Sequence, residues 1–207
     1  MKIFLVRHGQ TEWNVKRVFR GRLDIPLNRT GIKQANAVAK KLASFQIKKI
    51  YSSPLKRALQ TAEVIGKKLH LKLIPENDLI EFNYGKWQGM TVGEVQKKYS
   101  AIYAKWLKTP SKITIPGGET LSSARTRIAL RLNKILSQYL DGDIVIVAHE
   151  IINKVILCTL LNFDDNIFWK IKQDTGAVTI LEHDHGAATI VSLNDTCHLN
   201  QDTLGKI

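Results

Sequence analysis

Residues 2–14 read KIFLVRHGQTEWN, an apolar run that stops abruptly at an arginine, a histidine and a glycine. Residues 3–6 are bulky or β-branched with no polar alternation, the pattern of a strand buried on both faces of a parallel sheet, and they predict a strand in mid-sheet. At its carboxyl end stand a permanently charged planar fork (Arg7), a ring nitrogen that is neutral near pH 7 (His8) and a residue that lets backbone approach a ligand (Gly9). That set suits a phosphate. Taken alone, Arg-His-Gly is more commonly an ordinary charged turn, so the remainder of the chain has to decide.

A second apolar run, residues 144–148, ends in His149. Between the two runs, residues 49–52 form a short strand followed by Ser53-Pro54, which reads as the N-cap and first residue of a helix with Arg57 in its first turn. Leu55, Ala58, Leu59, Ala62, Ile65 and Leu69 supply the packing stripe of that helix, so Arg57 is spare. Spacings of three and four predict further helices from Thr30 (Ile32, Ala35, Val38, Ala39, Leu42, Phe45), over 100–107 with Tyr103 and Trp106, and over 120–140; Thr91 is expected to cap a short helix through Tyr99, and the largely apolar 151–161 to form another. Residues 71–74 read as a strand, 15–31 as a long loop, and 177–182 with 189–193 as a hairpin around His183-Asp184-His185-Gly186. Strand and helix alternate over most of the chain, which predicts an α/β fold: a three-layer α/β/α sandwich with a mainly parallel sheet and an antiparallel edge. In such sheets ligands bind beyond the carboxyl ends of the strands. Arg7-His8, Ser52 to Arg57, and His149 are therefore expected to share one crevice.

Composition narrows the partners. At 207 residues without a long Gly, Pro or Ser run, the chain is expected to be one domain, 1–207, with an irregular tail from about residue 195. With 31 Lys and Arg against 18 Asp and Glu the net charge is +13, which admits nucleic acid, an anionic membrane or a small anionic substrate. Lysine pairs such as Lys40-Lys41 and Lys67-Lys68 read as solvated helix faces. No recognition helix, RNA-binding aromatic signature or long basic tract is present, and no apolar run approaches a bilayer span, so neither nucleic acid nor membrane is expected as a partner. Two cysteines, Cys158 and Cys197, make neither a disulfide framework nor a four-ligand zinc site, which points to a reduced, cytoplasmic setting. Nothing requires a homodimer, although apolar strand edges or the Trp169 region would serve one.

A phosphomonoester dianion needs cationic forks around its oxygens, an in-line nucleophile and a proton for the departing alkoxide. Arg7 and Arg57 provide the forks, the helix starts after Ser53 and His149 add N–H donors, and one of the two histidines attacks phosphorus. Glu81, in the aromatic and glycine stretch EFNYGKWQG, is the general acid, its pKa raised by the anion beside it. Acidic and histidine groups in metal-ligand spacing are missing from the strand ends, His183, His185, His70 and His198 read as exposed or terminal residues, and no Walker-type loop is present, so no metal or cofactor is expected.

Five blocks in order carry a resemblance. Arg7-His8-Gly9-Gln10-Thr11 with Asn14, Ser52-Ser53-Pro54-Leu55 through Arg57, Gln60, Thr61 and Ala62, Glu81 with Gly85 and Gly89, Gly117-Gly118-Glu119, and Val147-Ala148-His149 resemble the histidine phosphatase, or phosphoglycerate mutase-like, superfamily over nearly the whole chain. The resemblance implies His8 as the nucleophile that becomes phosphohistidine, Arg7, Arg57 and His149 as the phosphate pocket, Asn14 as a further donor, and Glu81 as proton donor, with no metal required. Arg20 and Gly21 complete the expected binding set. The short interval 82–116 favours hydrolysis over the phosphoglycerate mutase alternative. The C-terminal part is similar to small bacterial phosphoserine and α-ribazole phosphatases, so a small phosphorylated metabolite is the expected partner.

Two positions depart from the pattern. Glu150 stands where glycine is usual, either pointing inward against phosphate or outward along the helix dipole; a spoiled site would make the chain a non-catalytic phospholigand-binding protein. Arg20 replaces a common glutamine or threonine and offers a second cation to an acidic substrate.

Overall fold

A computed structural model describes residues 1–138, 142–200 and 203. The opening run forms β1 (Lys2–Arg7), and the other strands are β2 (Ile47–Ser52), β3 (Leu73–Pro75), β4 (Asp143–Ala148), β5 (Val178–Asp184) and β6 (Ala187–Asp195). Their order is β3-β2-β4-β1-β5-β6, with β1, β2, β3 and β4 running parallel and β5 and β6 antiparallel at one edge. The predicted mid-sheet position of residues 3–6 and the antiparallel hairpin both hold.

Alternation along the central strands builds the layers. Ile3 and Leu5 of β1 and Ile144 and Ile146 of β4 face one way, toward α6 (Leu121–Ser137) and α7 (Glu150–Leu160). Phe4, Val6, Val145 and Val147 face the other way, toward α2 (Arg29–Leu42) and α3 (Lys56–Leu69). Every one of these strand residues is fully buried, as a sheet covered on both sides requires. The fold is a three-layer α/β/α sandwich.

Local chemistry departs from the sequence reading in several places. The long loop after residue 14 begins with a short helix, α1 (Glu12–Val15), capped reciprocally by Thr11 and Asn14. In α2 the stripe is carried by Gly31, Gln34, Ala35, Val38, Ala39 and Leu42, whereas Ile32 is exposed; the amide of Gln34 takes an interior position because it accepts from Gln10 N and donates to Thr203 O. Ser53 and Pro54 do not start α3. Leu55 holds the N-cap position without a side-chain cap, and the Ser53 hydroxyl is instead within 2.7 Å of His149 Nε2. Two short helices lie between the Glu81 stretch and α6: α4 (Val92–Lys98), capped by Thr91 with Glu94 bonding back to it, and α5 (Ser100–Lys108). Leu140 and Asp141, at the predicted end of α6, lie outside the described residues, as does most of the tail beyond residue 200. Among the described residues no helix is long and apolar enough to cross a membrane.

The register decides where chemistry collects. Arg7 lies beside Ala148, His8 N donates to Ala148 O at 3.0 Å, and Ser53 N donates to Val147 O at 3.0 Å. The carboxyl ends of β1, β4 and β2 therefore finish side by side.

Candidate active site

At those strand ends the His8 and His149 rings meet edge to face with centroids 5.2 Å apart, both buried. The Nδ1 atom of His8 is 2.7 Å from the carbonyl oxygen of Gly9. A carbonyl can only accept, so Nδ1 carries the proton and Nε2 keeps its lone pair. Burial holds the His8 pKa well below the usual histidine value, and the charges of Arg57, Arg7 and Arg20 act in the same direction, against a smaller opposite effect of the Gly9 carbonyl. His149 is lowered as well, by burial first and then by Arg57 and His8. Its Nε2 faces the Ser53 hydroxyl, while Nδ1 is buried without a hydrogen-bond partner.

Arg57, fully buried in the first turn of α3, donates to Leu23 O (2.8 Å) and Gly21 O (2.7 Å) and so ties down the loop after α1. Burial brings its pKa down to about 10, which leaves it charged near neutrality. Gly21 itself sits at φ +49°, and a Cβ there would come within 2.1 Å of Gln88 Oε1, so the turn demands glycine. Arg7 donates to Gln173 O and pairs with Glu150 Oε2 at 3.0 Å. The Nε atoms of Arg7 and Arg57 are, like His149 Nδ1, buried without partners. The two guanidinium Nε–H groups are thus donors that the protein itself leaves unused near these strand ends.

Beside them opens a cavity of about 360 Å³, lined among others by Arg7, Asn14, Arg20, Gly21, Glu81 and Glu150. His8, His149 and Arg57 lie behind this lining. Asn14 spends its amide oxygen on Thr11 N (2.9 Å) and Thr11 Oγ1 (2.8 Å), so only its N–H donors remain to serve a ligand. Arg20 makes one long hydrogen bond, 3.4 Å to Val18 O. Glu81 is buried, with Oε1 accepting from its neighbour Phe82 N at 2.9 Å. Burial raises its pKa, and that effect outweighs the lowering by the Phe82 N–H, Arg57 and Arg20. The shift expected from a bound anion is thus already produced by desolvation alone.

Glu119, quoted above only as part of a block, and Arg22, Arg127 and Lys154, which the sequence did not single out, hold this arrangement together. Glu119 accepts from Asn83 N (2.9 Å) and pairs with Arg127 (2.9 Å) and Arg22 (3.3 Å), and Arg22 Nε donates to Glu81 O at 3.2 Å. Lys154, one turn after Glu150, sits 3.5 Å from its carboxylate and over the Trp169 ring, 4.4 Å from the centroid. Glu150 thus points inward, toward Arg7, and the outward alternative is set aside. Burial pushes its carboxyl up, but Arg7, Lys154 and Arg20 outweigh it and the net shift is downward, so the group is an anion. Phe19, Tyr84, Tyr103, Trp106 and Trp169 form an aromatic wall on the rest of the cavity. Tyr103 and Trp106 of α5 both line the cavity, and Trp106 is at the same time part of the core. Among the described residues no group of three or more His, Cys, Asp or Glu side chains is gathered to hold a metal ion.

The model of the histidine phosphatase superfamily (branch 1) matches residues 3–196. The chain belongs to this superfamily. It is 35% identical to phosphoserine phosphatase 1 of Hydrogenobacter thermophilus over 201 residues, 97% of this chain and 95% of that protein. Among solved structures, phosphoserine phosphatase from Entamoeba histolytica in complex with phosphoserine is 32% identical, covering 96% and 99% of the two chains with a TM-score of 0.84. The α-ribazole phosphatase of Shigella flexneri shares the fold with a TM-score of 0.85 over 94% and 96%, at 22% identity. The chain is therefore an enzyme that hydrolyses phosphate esters.

Proposed function

We propose that the chain hydrolyses a small phosphomonoester through a phosphohistidine formed on His8. One observation carries this reading: the His8 ring, its Nδ1 proton committed to Gly9 O, is buried among arginines behind the lining of a cavity to which a buried Glu81 of raised pKa contributes. A neutral imidazole in that field keeps its lone pair near neutrality, and the raised pKa of Glu81 favours the protonated form that a general acid needs.

In the first step His8 Nε2 forms a bond to phosphorus and the ester P–O bond breaks. The leaving alkoxide takes the Glu81 proton, so the alcohol departs neutral. In the second, Glu81, now a carboxylate, takes a proton from water as its oxygen attacks phosphorus; the N–P bond breaks and phosphate and His8 are restored. Arg7 and Arg57 neutralise the equatorial oxygens, His149 and the N–H groups at the start of α7 donate to them, and Asn14 adds a donor. The arginines supply the positive charge, so the route needs no metal.

Phosphoserine is the preferred substrate candidate, because the relatives that exceed 30% identity over nearly the full chain include phosphoserine phosphatases, while the α-ribazole phosphatase likeness carries the fold alone. The site calls for no partner beyond this small metabolite, and the thiols Cys158 and Cys197, neither of them in a disulfide, suit a reduced cytoplasm. The test is phosphate release in EDTA from phosphoserine, α-ribazole phosphate, 3-phosphoglycerate and p-nitrophenyl phosphate. Wild-type release that disappears in His8→Ala supports the route. In Glu81→Gln the rate on phosphoserine should fall about 10²-fold or more, with a smaller loss on p-nitrophenyl phosphate, whose leaving group needs little protonation. Undiminished release in His8→Ala would refute it.

A further inference from the structure

The pairing of Glu150 with Arg7 poses a chemical problem for the proposed reaction. A phosphate dianion at Arg7 must share that guanidinium with the Glu150 carboxylate, whose Oε2 lies 3.0 Å from Arg7 Nη2, and two anions held by one cation repel each other. Every phosphomonoester meets this repulsion. A substrate that brings its own positive charge into the gap turns it into attraction on both sides.

Glu150 is equipped to receive such a charge. Its side chain is one-third exposed and lines the cavity, and its two oxygens offer about four acceptor positions, of which Arg7 and Lys154 use some. Lys154 is itself confined by the Trp169 and Phe168 rings, at 4.4 and 5.5 Å, and nearly buried, so it anchors Glu150 without blocking the cavity side. Arg20, with its single long hydrogen bond, stands in the same cavity as a cation for a carboxylate. One anion and one scarcely engaged cation beside a phosphate site make a receptor for a zwitterion.

Resting on the hydrolase reading above, we propose that Glu150 is a specificity-determining residue that binds an ammonium group carried near the ester, selecting phosphorylated amino alcohols and amino acids over their hydroxy analogues. The ammonium hydrogen-bonds to the Glu150 carboxylate and lies between it and the phosphoryl oxygens. In a purely structural role, Glu150 would hold Arg7 in place and complement the α7 dipole, and its loss would move all substrates the same way.

The test compares phosphoserine with 3-phosphoglycerate, which differ by an ammonium against a hydroxyl and share the carboxylate, so that any Arg20 contribution cancels. In Glu150→Gln, kcat/KM for phosphoserine should fall about tenfold, the worth of one charge-assisted hydrogen bond. The KM values for 3-phosphoglycerate and p-nitrophenyl phosphate should fall in the same variant, because repulsion is relieved. Glu150→Asp, which keeps the charge, should keep the preference for phosphoserine. A phosphoserine to 3-phosphoglycerate ratio in Glu150→Gln within twofold of wild type would overturn the proposal while leaving the hydrolase reading intact. Absence of His8-dependent turnover of p-nitrophenyl phosphate by the wild type would overturn both.

Discussion

Glu119 stands outside the chemistry, yet removing its carboxylate should be among the more damaging single changes in the chain. It is paired with Arg127 through Nε at 3.3 Å and Nη2 at 2.9 Å, the side chains being 17% and 12% exposed. Breaking a buried pair costs roughly 3–5 kcal/mol. Arg127 keeps a hydrogen bond to Asp78 O and some contact with solvent, so about 2–3 kcal/mol is the appropriate share here. The Arg22 pair, 36% exposed on the arginine side, adds about 0.5 kcal/mol. The stranded Asn83 N–H adds about 1 kcal/mol. Glu119→Ala should therefore destabilise by about 4 kcal/mol, equivalent to roughly 10 °C in Tm for a domain of this size. Glu119→Gln keeps an acceptor for Asn83 and should cost about 1 kcal/mol less. Urea denaturation followed by tryptophan fluorescence measures both, a lower midpoint at unchanged m being the expected signature. Because Arg22 links Glu119 to the Glu81 backbone, turnover of the folded variant should fall as well. A loss under about 1 kcal/mol in Glu119→Ala would refute the argument that this carboxylate holds the Glu81 loop.

The remaining predictions concern pH and backbone. His8 has a lowered pKa in the folded state, so between that value and about 6.5 the unfolded chain binds a proton that the folded chain refuses; stability present above 6.5 is lost as pH falls, at up to about 1.4 kcal/mol per unit for this group. His8→Asn should therefore show a shallower decline in urea midpoint between pH 7.5 and 5.5, without phosphate, and an identical decline would contradict the burial argument. Gly85 sits at φ +49°, where a Cβ would lie 2.3–2.4 Å from Pro116 O, Gly117 C and Gly118 N. Gly85→Ala should cost roughly 3 kcal/mol from left-handed strain plus overlap and should reduce activity with it, as thermal unfolding beside phosphate release would show.

The strand ends were legible because two fully buried strands leave an unmistakable mark, an apolar run cut off by charge: Arg7-His8 and His149 could be placed in one crevice before any coordinates. Arg57 could be placed there too, since its helix had a complete stripe without it. Long side chains were another matter. Whether Glu150 turned in or out depended on Arg7 and Gln173, distant in sequence, and only Lys154, a lone basic residue four positions on in an apolar helix, hinted that the carboxylate had company. Ser53 looked like a helix cap because local propensity favoured it; a histidine 96 residues away claimed its hydroxyl. The α1 cap was missed because its third residue is Asn14 rather than the usual Glu or Gln. Glu119 gave no sign of its three partners, since ion-pair networks between loops have no sequence period.

The acceptor for His8 Nδ1 is the carbonyl of the residue that follows it. Two different properties of the proposed nucleophile are thereby set by two different parts of the chain. Which nitrogen bears the proton is decided inside a dipeptide, and it travels with that dipeptide into any scaffold that presents it at the end of a strand. How tightly the ring holds a second proton is decided first by burial and then by arginines drawn from β1, α3 and the loop after α1. Substitutions among those arginines can thus retune the basicity of the ring over evolutionary time without reversing its polarity.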